Sequence, residues 1–120
     1  MTAKTVELRI KRAGERTGCS NSPESNLASS GIRAMLKYEL PDYTLHFSTG
    51  HYYCSGFLEK NGKFVYFSFS DYRFFGDSAF VRTAAGLKDY SGGRNNDTTS
   101  RNLVATIRAV MTGESFYEVQ

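Results

Sequence analysis

The segment N-G-K-F-V-Y-F-S-F-S, residues 61–70, carries the strongest information about the fold. Its first two residues, Asn61 and Gly62, favour a two-residue β-hairpin turn because both accept a positive φ. The residues after the turn alternate between two sides of a strand, with Phe64 and Tyr66 on one side and the apolar positions 65, 67 and 69 on the other. We therefore expect a sheet with one face packed against helices and a second face that is partly open.

Segments on both sides of this hairpin predict further strands. Residues 43–48 and 51–60 are rich in β-branched and aromatic side chains, and residues 79–83, A-F-V-R-T, follow the connection D-Y-R-F-F-G-D. Near the N-terminus, residues 5–11 alternate Val, Leu and Ile with charged side chains, which is the period of a half-buried strand. An antiparallel sheet of four to five strands is expected.

Two helices complete the prediction. The first begins at Pro23, capped by Ser22, and ends before Pro41. Its apolar positions are Ala28, Ile32, Met35 and Leu36. The second is expected to begin near residues 97–99 and to run to about Thr112, with Gly113 as its stop. Its buried stripe is Leu103, Val104, Ile107, Val110 and Met111.

These elements predict an α+β fold in the order β-α-β-β-β-β-α, with both helices packed on one face of the sheet. Residues 1–120 form one domain, because a chain of this length builds a single core. The formal charge of +3 is mild for a nucleic-acid-binding domain. The charged, alternating N-terminus is typical of neither a signal peptide nor a membrane span, so we expect a cytoplasmic protein.

The most suggestive loop is R-T-A-A-G-L-K-D-Y-S-G-G-R-N-N-D, residues 82–97. A Gly-Gly pair allows backbone N–H groups to face a ligand, and the positive end of the predicted helix would follow directly. This combination suits a phosphate, a nucleotide or an acidic side chain. The candidate binding residues are Arg82, Lys88, Tyr90, Gly92, Gly93, Arg94 and Asn95. The alternative is a loop that only turns the chain, held by asparagine side chains and a helix cap.

Three further arginines are candidates for the same surface. Arg101 and Arg108 are seven residues apart, which places them on one line of the predicted helix. Arg73, in the sequence D-Y-R, either contributes to the cavity of the glycine loop or forms an internal ion pair with Asp71. Tyrosines on the open half of the sheet would stack bases, anchor a protein interface or pack internally. The candidates are Tyr52, Tyr53, Tyr66 and Tyr72.

The sequence indicates no catalytic, metal or cofactor site. His46, His51 and Cys54 lack a fourth ligand and a zinc motif, and no serine, cysteine or histidine stands in a known catalytic pattern. We therefore expect a protein that is not an enzyme and needs no cofactor. The second cysteine, Cys19, lies in an unrelated polar context, and free thiols in a reducing compartment are expected.

The strings D-Y-R, R-T-A and K-D-Y-S-G-G-R-N-N ahead of a short terminal helix resemble small accessory proteins of phages and other mobile elements. The resemblance covers roughly the last third of the chain. Such proteins often act against host defence, by inhibiting CRISPR effectors or by sequestering nucleotide signals. The segment order also resembles a double-stranded RNA-binding domain preceded by a strand, but T-T-S-R-N-L stands where that family has a lysine-rich helix start.

Three hypotheses follow. The first is a non-enzymatic anti-defence protein that binds a host defence protein, or its nucleic-acid complex, directly. Its contact residues would be Arg73, Arg82, Tyr90, Arg94, Arg101 and Arg108. The second is a nucleotide-binding module that uses the glycine loop and an aromatic ring, and the third is a small hydrolase. Binding to a membrane is not expected, and a homodimer is open.

Overall fold

The strands form one antiparallel sheet whose order, β1-β2-β3-β4-β5, follows the chain. The computed structural model describes residues 1–15, 23–50, 52–89 and 93–113. The elements are α1 (Ala3–Glu15), α2 (Pro23–Glu39), β1 (Thr44–Gly50), β2 (Tyr53–Lys60), β3 (Lys63–Phe69), α3 (Tyr72–Phe75), β4 (Ser78–Ala84), β5 (Asn96–Thr99) and α4 (Leu103–Met111). The α+β class and the antiparallel sheet are therefore as predicted from the sequence.

The hairpin at residues 61–62 sets the register of the central strands. Asn61 and Gly62 have φ values of 54° and 77°, as the two-residue turn requires. Val65 then pairs with Leu58, and Phe67 pairs with Gly56, so these residues share the inner face of the sheet. The neighbouring pairs lie on the outer face, which confirms the two-sided pattern of this strand.

Helices α2 and α4 pack on the inner face of the sheet, and α1 packs on α2 and α3, so that together they enclose the core. The predicted apolar positions of α2 are all buried, and so are four of the five predicted for the last helix. The helical residues of the core are Val6, Ile10, Ala13, Ala28, Ile32, Met35, Leu36, Leu103, Ile107, Val110 and Met111. They pack against the inner side chains of β2, β3 and β4.

The N-terminal segment is a helix, and the prediction of a strand over residues 5–11 is wrong. Val6, Ile10 and Ala13 are buried at helical spacing, whereas Leu8 lies between them and is 47% exposed. Val6 and Ile10 fit both a period of two and the i, i+4 spacing of a helix, so the alternation alone could not separate the two structures. The basic residues of this segment therefore lie on a helix and not along a strand edge.

The last helix begins at Leu103, later than the predicted start near residues 97–99. Residues 96–99 form β5 instead, and Asn96 pairs with Val81 of β4. The side-chain amide of Asn96 donates to the carbonyl of Val81 at 3.1 Å and to that of Arg94 at 3.1 Å. Residues 96–99 therefore pair with β4 instead of forming a helical turn, and the helix starts farther from the glycine loop.

The close packing at Gly56 gives a first test. A Cβ at this position would lie 2.5 Å from the carbonyl oxygen of His46 and 2.9 Å from the ring of Phe67. We expect Gly56→Ala to lower the free energy of unfolding by about 1–3 kcal/mol, because the sheet backbone and a buried ring must move. Gly86 has open space around it and no positive φ, so Gly86→Ala is the matched control. Urea denaturation measures both, and equal stabilities would contradict the packing described here.

Candidate functional site

The connection between β3 and β4 forms a single helical turn that exposes two adjacent phenylalanines. Phe74 is 75% exposed and Phe75 is 58% exposed. Large apolar side chains are normally buried, and an exposed apolar patch commonly marks an interaction site. We call this pair the diphenylalanine patch. The prediction from the sequence placed no site residue here except the neighbouring Arg73.

Both ends of α3 are fixed by local bonds. The carboxylate of Asp71 accepts the backbone N–H of Arg73 at 2.9 Å, which caps the turn. It also accepts two bonds from the guanidinium, from Nε at 3.0 Å and from Nη2 at 2.7 Å. At the other end Gly76 has a φ of 58° and donates its N–H to Tyr72. The internal ion pair considered for the D-Y-R sequence is therefore present.

Tyr72 anchors the turn in the interior. Its side chain is buried, and its hydroxyl lies 2.8 Å from Oγ of Ser29 on α2. Its backbone N–H donates to the carbonyl of Tyr52 at 2.8 Å. Helix α1 approaches so closely that a Cβ at Gly14 would lie 2.7 Å from the carbonyl oxygen of Tyr72. The turn is thus held by the helical layer and by the sheet together, while Phe74 and Phe75 point to solvent.

Tyr52, the residue just before β2, supports the same arrangement. It has a φ of 62°, which is uncommon for a bulky residue, and its N–H donates to Oγ of Ser25 at 3.0 Å. Its buried ring lies 4.1 Å from the guanidinium carbon of Arg73, and the ring of Phe74 lies 5.3 Å from the same carbon. Arg73 therefore links the interior to the patch. The expectation that Tyr52 and Tyr72 face an open surface is wrong, because both pack inward with α2.

Cys54 is a free, buried cysteine beside this anchor. Burial raises the pKa of its thiol to about 12, although hydrogen bonds from Tyr72 and Ser29 oppose the shift. The thiol is therefore neutral near pH 7 and a poor nucleophile. His46 pairs with Phe57 on the outer face, whereas Cys54 faces the core. In the described ranges, no three His, Cys, Asp or Glu side chains gather as metal ligands.

The outer face of the sheet carries a second cluster, built around Arg82. The guanidinium carbon of Arg82 lies 5.2 Å from the ring centres of Tyr66 and Phe80, and its Nη1 donates to Asn95 at 3.5 Å. Phe57 stacks on Tyr66 with 4.9 Å between the ring centres. Phe57 and Tyr66 are only 6% and 9% exposed, so little of either ring is accessible. Two predicted site residues, Arg82 and Asn95, thus lie together.

The glycine loop joins two strands and does not open into a helix. It connects β4 to β5, so the positive end of α4 does not follow it as predicted. Gly93 has a φ of 76° and packs on Thr83, where a Cβ would lie 2.8 Å from the carbonyl oxygen. Lys88 and Arg94 are exposed, and Lys88 has a φ of 68°. Tyr90 and Gly92 lie outside the described residues.

Arg101 and Arg108 do not extend the surface around Arg82. Arg101 precedes α4, and its Nε lies 3.3 Å from the carboxylate of Glu7 on α1. Arg108 donates to the carbonyl of Glu39 at the end of α2, at 2.9 Å. Both therefore lie on the helical side of the sheet, opposite Arg82. The prediction that Arg101 and Arg108 lie on one line of the last helix is wrong, because the helix begins after Arg101.

Comparison with known proteins gives no match: no family model, no curated protein and no solved structure is significantly similar to this chain. Across the described part of the chain, no helix has the length and apolar character needed to cross a membrane. The site must therefore be interpreted from its own geometry.

The sequence contains a signal for the diphenylalanine patch that the strand pattern obscured. Asp71 and Gly76 enclose four residues. Aspartate commonly begins a helical turn and glycine commonly ends one. Two adjacent aromatic residues cannot both enter the core from one strand, since neighbouring side chains point to opposite faces. Tyr72 is buried, where its hydroxyl contacts Ser29, whereas Phe74 and Phe75 are exposed. Ser29 is distant in sequence, so no local pattern predicts which of these aromatic residues is buried.

The Asp71–Arg73 pair predicts a pH-dependent stability. The hydrogen bond from the Arg73 side chain holds the pKa of Asp71 below its ordinary value. A lowered folded-state pKa stabilises the protein above the ordinary pKa of about 3.9, and the contribution is lost as the pH falls through the lowered value. We expect Asp71→Asn to cost about 1 kcal/mol of unfolding free energy at pH 7 and little at low pH.

Urea denaturation of wild type and Asp71→Asn at several pH values measures this difference. Glu15→Gln, which changes an exposed carboxylate at the end of α1, is the control for a general charge effect. A difference that stays constant down to the acid limit, or that appears equally in the control, would exclude the proposed role of the ion pair.

The burial of Cys54 predicts protection from alkylation. In a Cys19→Ser variant, which leaves one thiol, iodoacetamide at pH 8 should leave Cys54 unmodified in the folded protein. The same reagent should modify it completely in guanidinium chloride, because unfolding exposes the thiol and returns its pKa to the ordinary range. Mass spectrometry gives the fraction modified, and rapid labelling of the folded protein would show that the thiol is accessible.

Proposed function

We propose that this chain is a non-catalytic binding protein that inhibits a host defence component by direct protein contact. The centre of the contact is the diphenylalanine patch of α3. The observation that carries the proposal is the exposure of Phe74 and Phe75 on a turn that is fixed at both ends. The chemistry of the patch supports binding to a protein, and the defence target comes from the resemblance to phage accessory proteins.

The energetics of the patch favour a strong contact. Burial of one phenylalanine contributes about 1.5–3 kcal/mol, so two adjacent rings could supply a large part of an interface energy. Residues that dominate an interface are large and enter desolvated pockets. The cap at Asp71 and the anchor at Tyr72 already fix the backbone, which lowers the entropy lost on binding. The patch therefore has the properties of a preorganised hot spot.

The charges around the patch indicate the chemistry of its partner. Arg73 is neutralised by Asp71, but Lys11 and Arg12 are exposed at the end of α1 that packs against α3. Lys11 and Gly76 line the same shallow surface pocket. A partner that receives the two rings in an apolar pocket, with carboxylates at its rim to face these cations, would be complementary. A nuclease or its accessory subunit with such a pocket is the proposed target.

A nucleotide-binding function is the alternative, and its support is the cluster on the outer face. Arg82 lies against two aromatic rings, and among the residues that the structure describes its buried Nε has no hydrogen-bond partner. A guanidinium and an aromatic ring can hold a phosphate and a base. The glycine loop leads into β5, so the N-terminus of α4 does not contribute to this nucleotide site. Thermal-shift measurements with mono-, di- and cyclic nucleotides test it, and a shift that is lost in Arg82→Gln would favour it.

The main experiment is a plaque assay in bacterial hosts that each carry one defence system, including CRISPR effectors of several types. Expression of the wild-type chain should restore plaque formation by a targeted phage in at least one host. The variant Phe74→Ser/Phe75→Ser should lose this effect, because it removes both rings from the contact. Both residues are exposed, so circular dichroism and the melting temperature should remain those of wild type.

A matched control replaces two other exposed apolar residues, Tyr38 and Leu87, by serine. Tyr38 lies near the end of α2, more than two turns beyond Ser29, and Leu87 follows the far end of β4. This control should inhibit defence as the wild type does. Purified target should bind the wild type and the control but not the double phenylalanine variant. Full inhibition by that variant, or no effect of the wild type in any host, would reject the proposal.

A further inference from the structure

Strand β1 forms one edge of the sheet. All seven of its residues pair with β2, from Thr44 with Glu59 to Gly50 with Tyr53, in one continuous register without a bulge. In the described ranges, no strand pairs with its other side. The backbone groups on that side therefore form a regular, unpaired row over the full length of the strand.

This edge lacks the features that normally protect a sheet from pairing with another chain. Its sequence, T-L-H-F-S-T-G, contains no Lys, Arg, Asp, Glu or Pro. Natural edges are usually short, bulged, charged or interrupted by proline. The opposite edge, β5, follows this rule, because it has only four residues and one of them is Asp97. The two edges therefore differ, and β1 is the one that can pair with a strand of another chain.

The side chains of β1 present a suitable surface on both faces. Leu45 and Phe47 point to the inner face and are half-buried at the margin of the core. Thr44, His46 and Ser48 point to the outer face and are exposed. A neighbouring strand with the same alternation would place an apolar residue beside Phe47 and polar residues beside the polar ones of the outer face.

We propose that β1 pairs antiparallel with β1 of a second copy, which joins two five-stranded sheets into one. A two-fold axis at Phe47 gives the register that overlaps all seven residues. In this register Phe47 lies opposite its own copy, and His46 lies opposite Ser48 of the other copy. Both members of each pair lie on the same face, as an antiparallel sheet requires. The helical layers of the two copies then lie on the same side.

The second copy fits this edge for two reasons. The β1 strand of a second copy carries no charged residue, so two β1 strands do not repel each other. Closed two-fold dimers are also the commonest assemblies of identical chains. The second copy also brings another half-buried Phe47 to the same point, so both rings lose contact with water. The surface is distinct from the diphenylalanine patch. The dimer and the proposed inhibition can therefore be tested separately.

The experiment measures the mass of the purified full chain by sedimentation equilibrium over a wide concentration range. A dimer has twice the chain mass of 13.4 kDa. Two variants with substitutions at the same exposed positions test the register. In His46→Lys/Ser48→Lys, each cross-strand pair becomes two lysines, and in His46→Lys/Ser48→Glu each pair becomes a lysine opposite a glutamate. Because two equivalent pairs change, we expect the first variant to dimerise at least about tenfold more weakly than the second.

The outcomes are distinct. A wild type that remains a monomer at every concentration overturns the proposal, and so does a double-lysine variant that dimerises as well as the lysine–glutamate variant. Loss of the dimer in both variants would also overturn it, because the paired register would be wrong. Circular dichroism of each variant ensures that a change in mass reflects the edge and not unfolding. Pairing with a strand of a different protein, by a chain that is itself monomeric, would likewise contradict the proposal.

Discussion

The hydrogen bond between Ser29 and Tyr72 holds together three parts of the molecule that are distant in sequence. It connects α2 to α3 inside the core, and the backbone of Tyr72 continues the connection to Tyr52, just before β2. A buried polar pair is favourable only when both groups are satisfied, so this contact fixes the distance and orientation of its partners. The direction of α3, and hence the exposure of Phe74, follows from this contact.

Much of the fold could be predicted because its signals are local. The turn at Asn61 and Gly62 and the alternation in β3 are complete within ten residues. Hydrophobic periodicity failed to predict α1, because the spacing of Val6 and Ile10 fits both a strand and a helix. The packing of this segment against α2 favours the helix. The same method also failed at β5. Its four residues are all polar, so they have no hydrophobic periodicity, and they form a strand because they pair with β4.

The candidate site was predicted less well than the fold, for a related reason. Basic residues were expected to gather on one surface, but most of them have partners within the chain. Arg73 binds Asp71, Arg101 binds Glu7, and Arg108 binds the carbonyl at the end of α2. These pairings separate the arginines between the two sides of the sheet. The charges of these arginines therefore join elements of the fold and do not gather on one surface. The exposure of Phe74 and Phe75 accompanies the packing of Tyr72 against α2, which is distant in sequence.

The order of the strands has a consequence for how the protein forms. Within the described residues, every strand pairs with the strand before or after it in the chain, so these pairings join segments that are close in sequence. Proteins dominated by such near-neighbour contacts fold faster than those that join remote segments, because less chain entropy is lost before each contact forms. The sheet can therefore grow hairpin by hairpin as the chain leaves the ribosome. A molecule that must act soon after its synthesis would benefit from such rapid assembly.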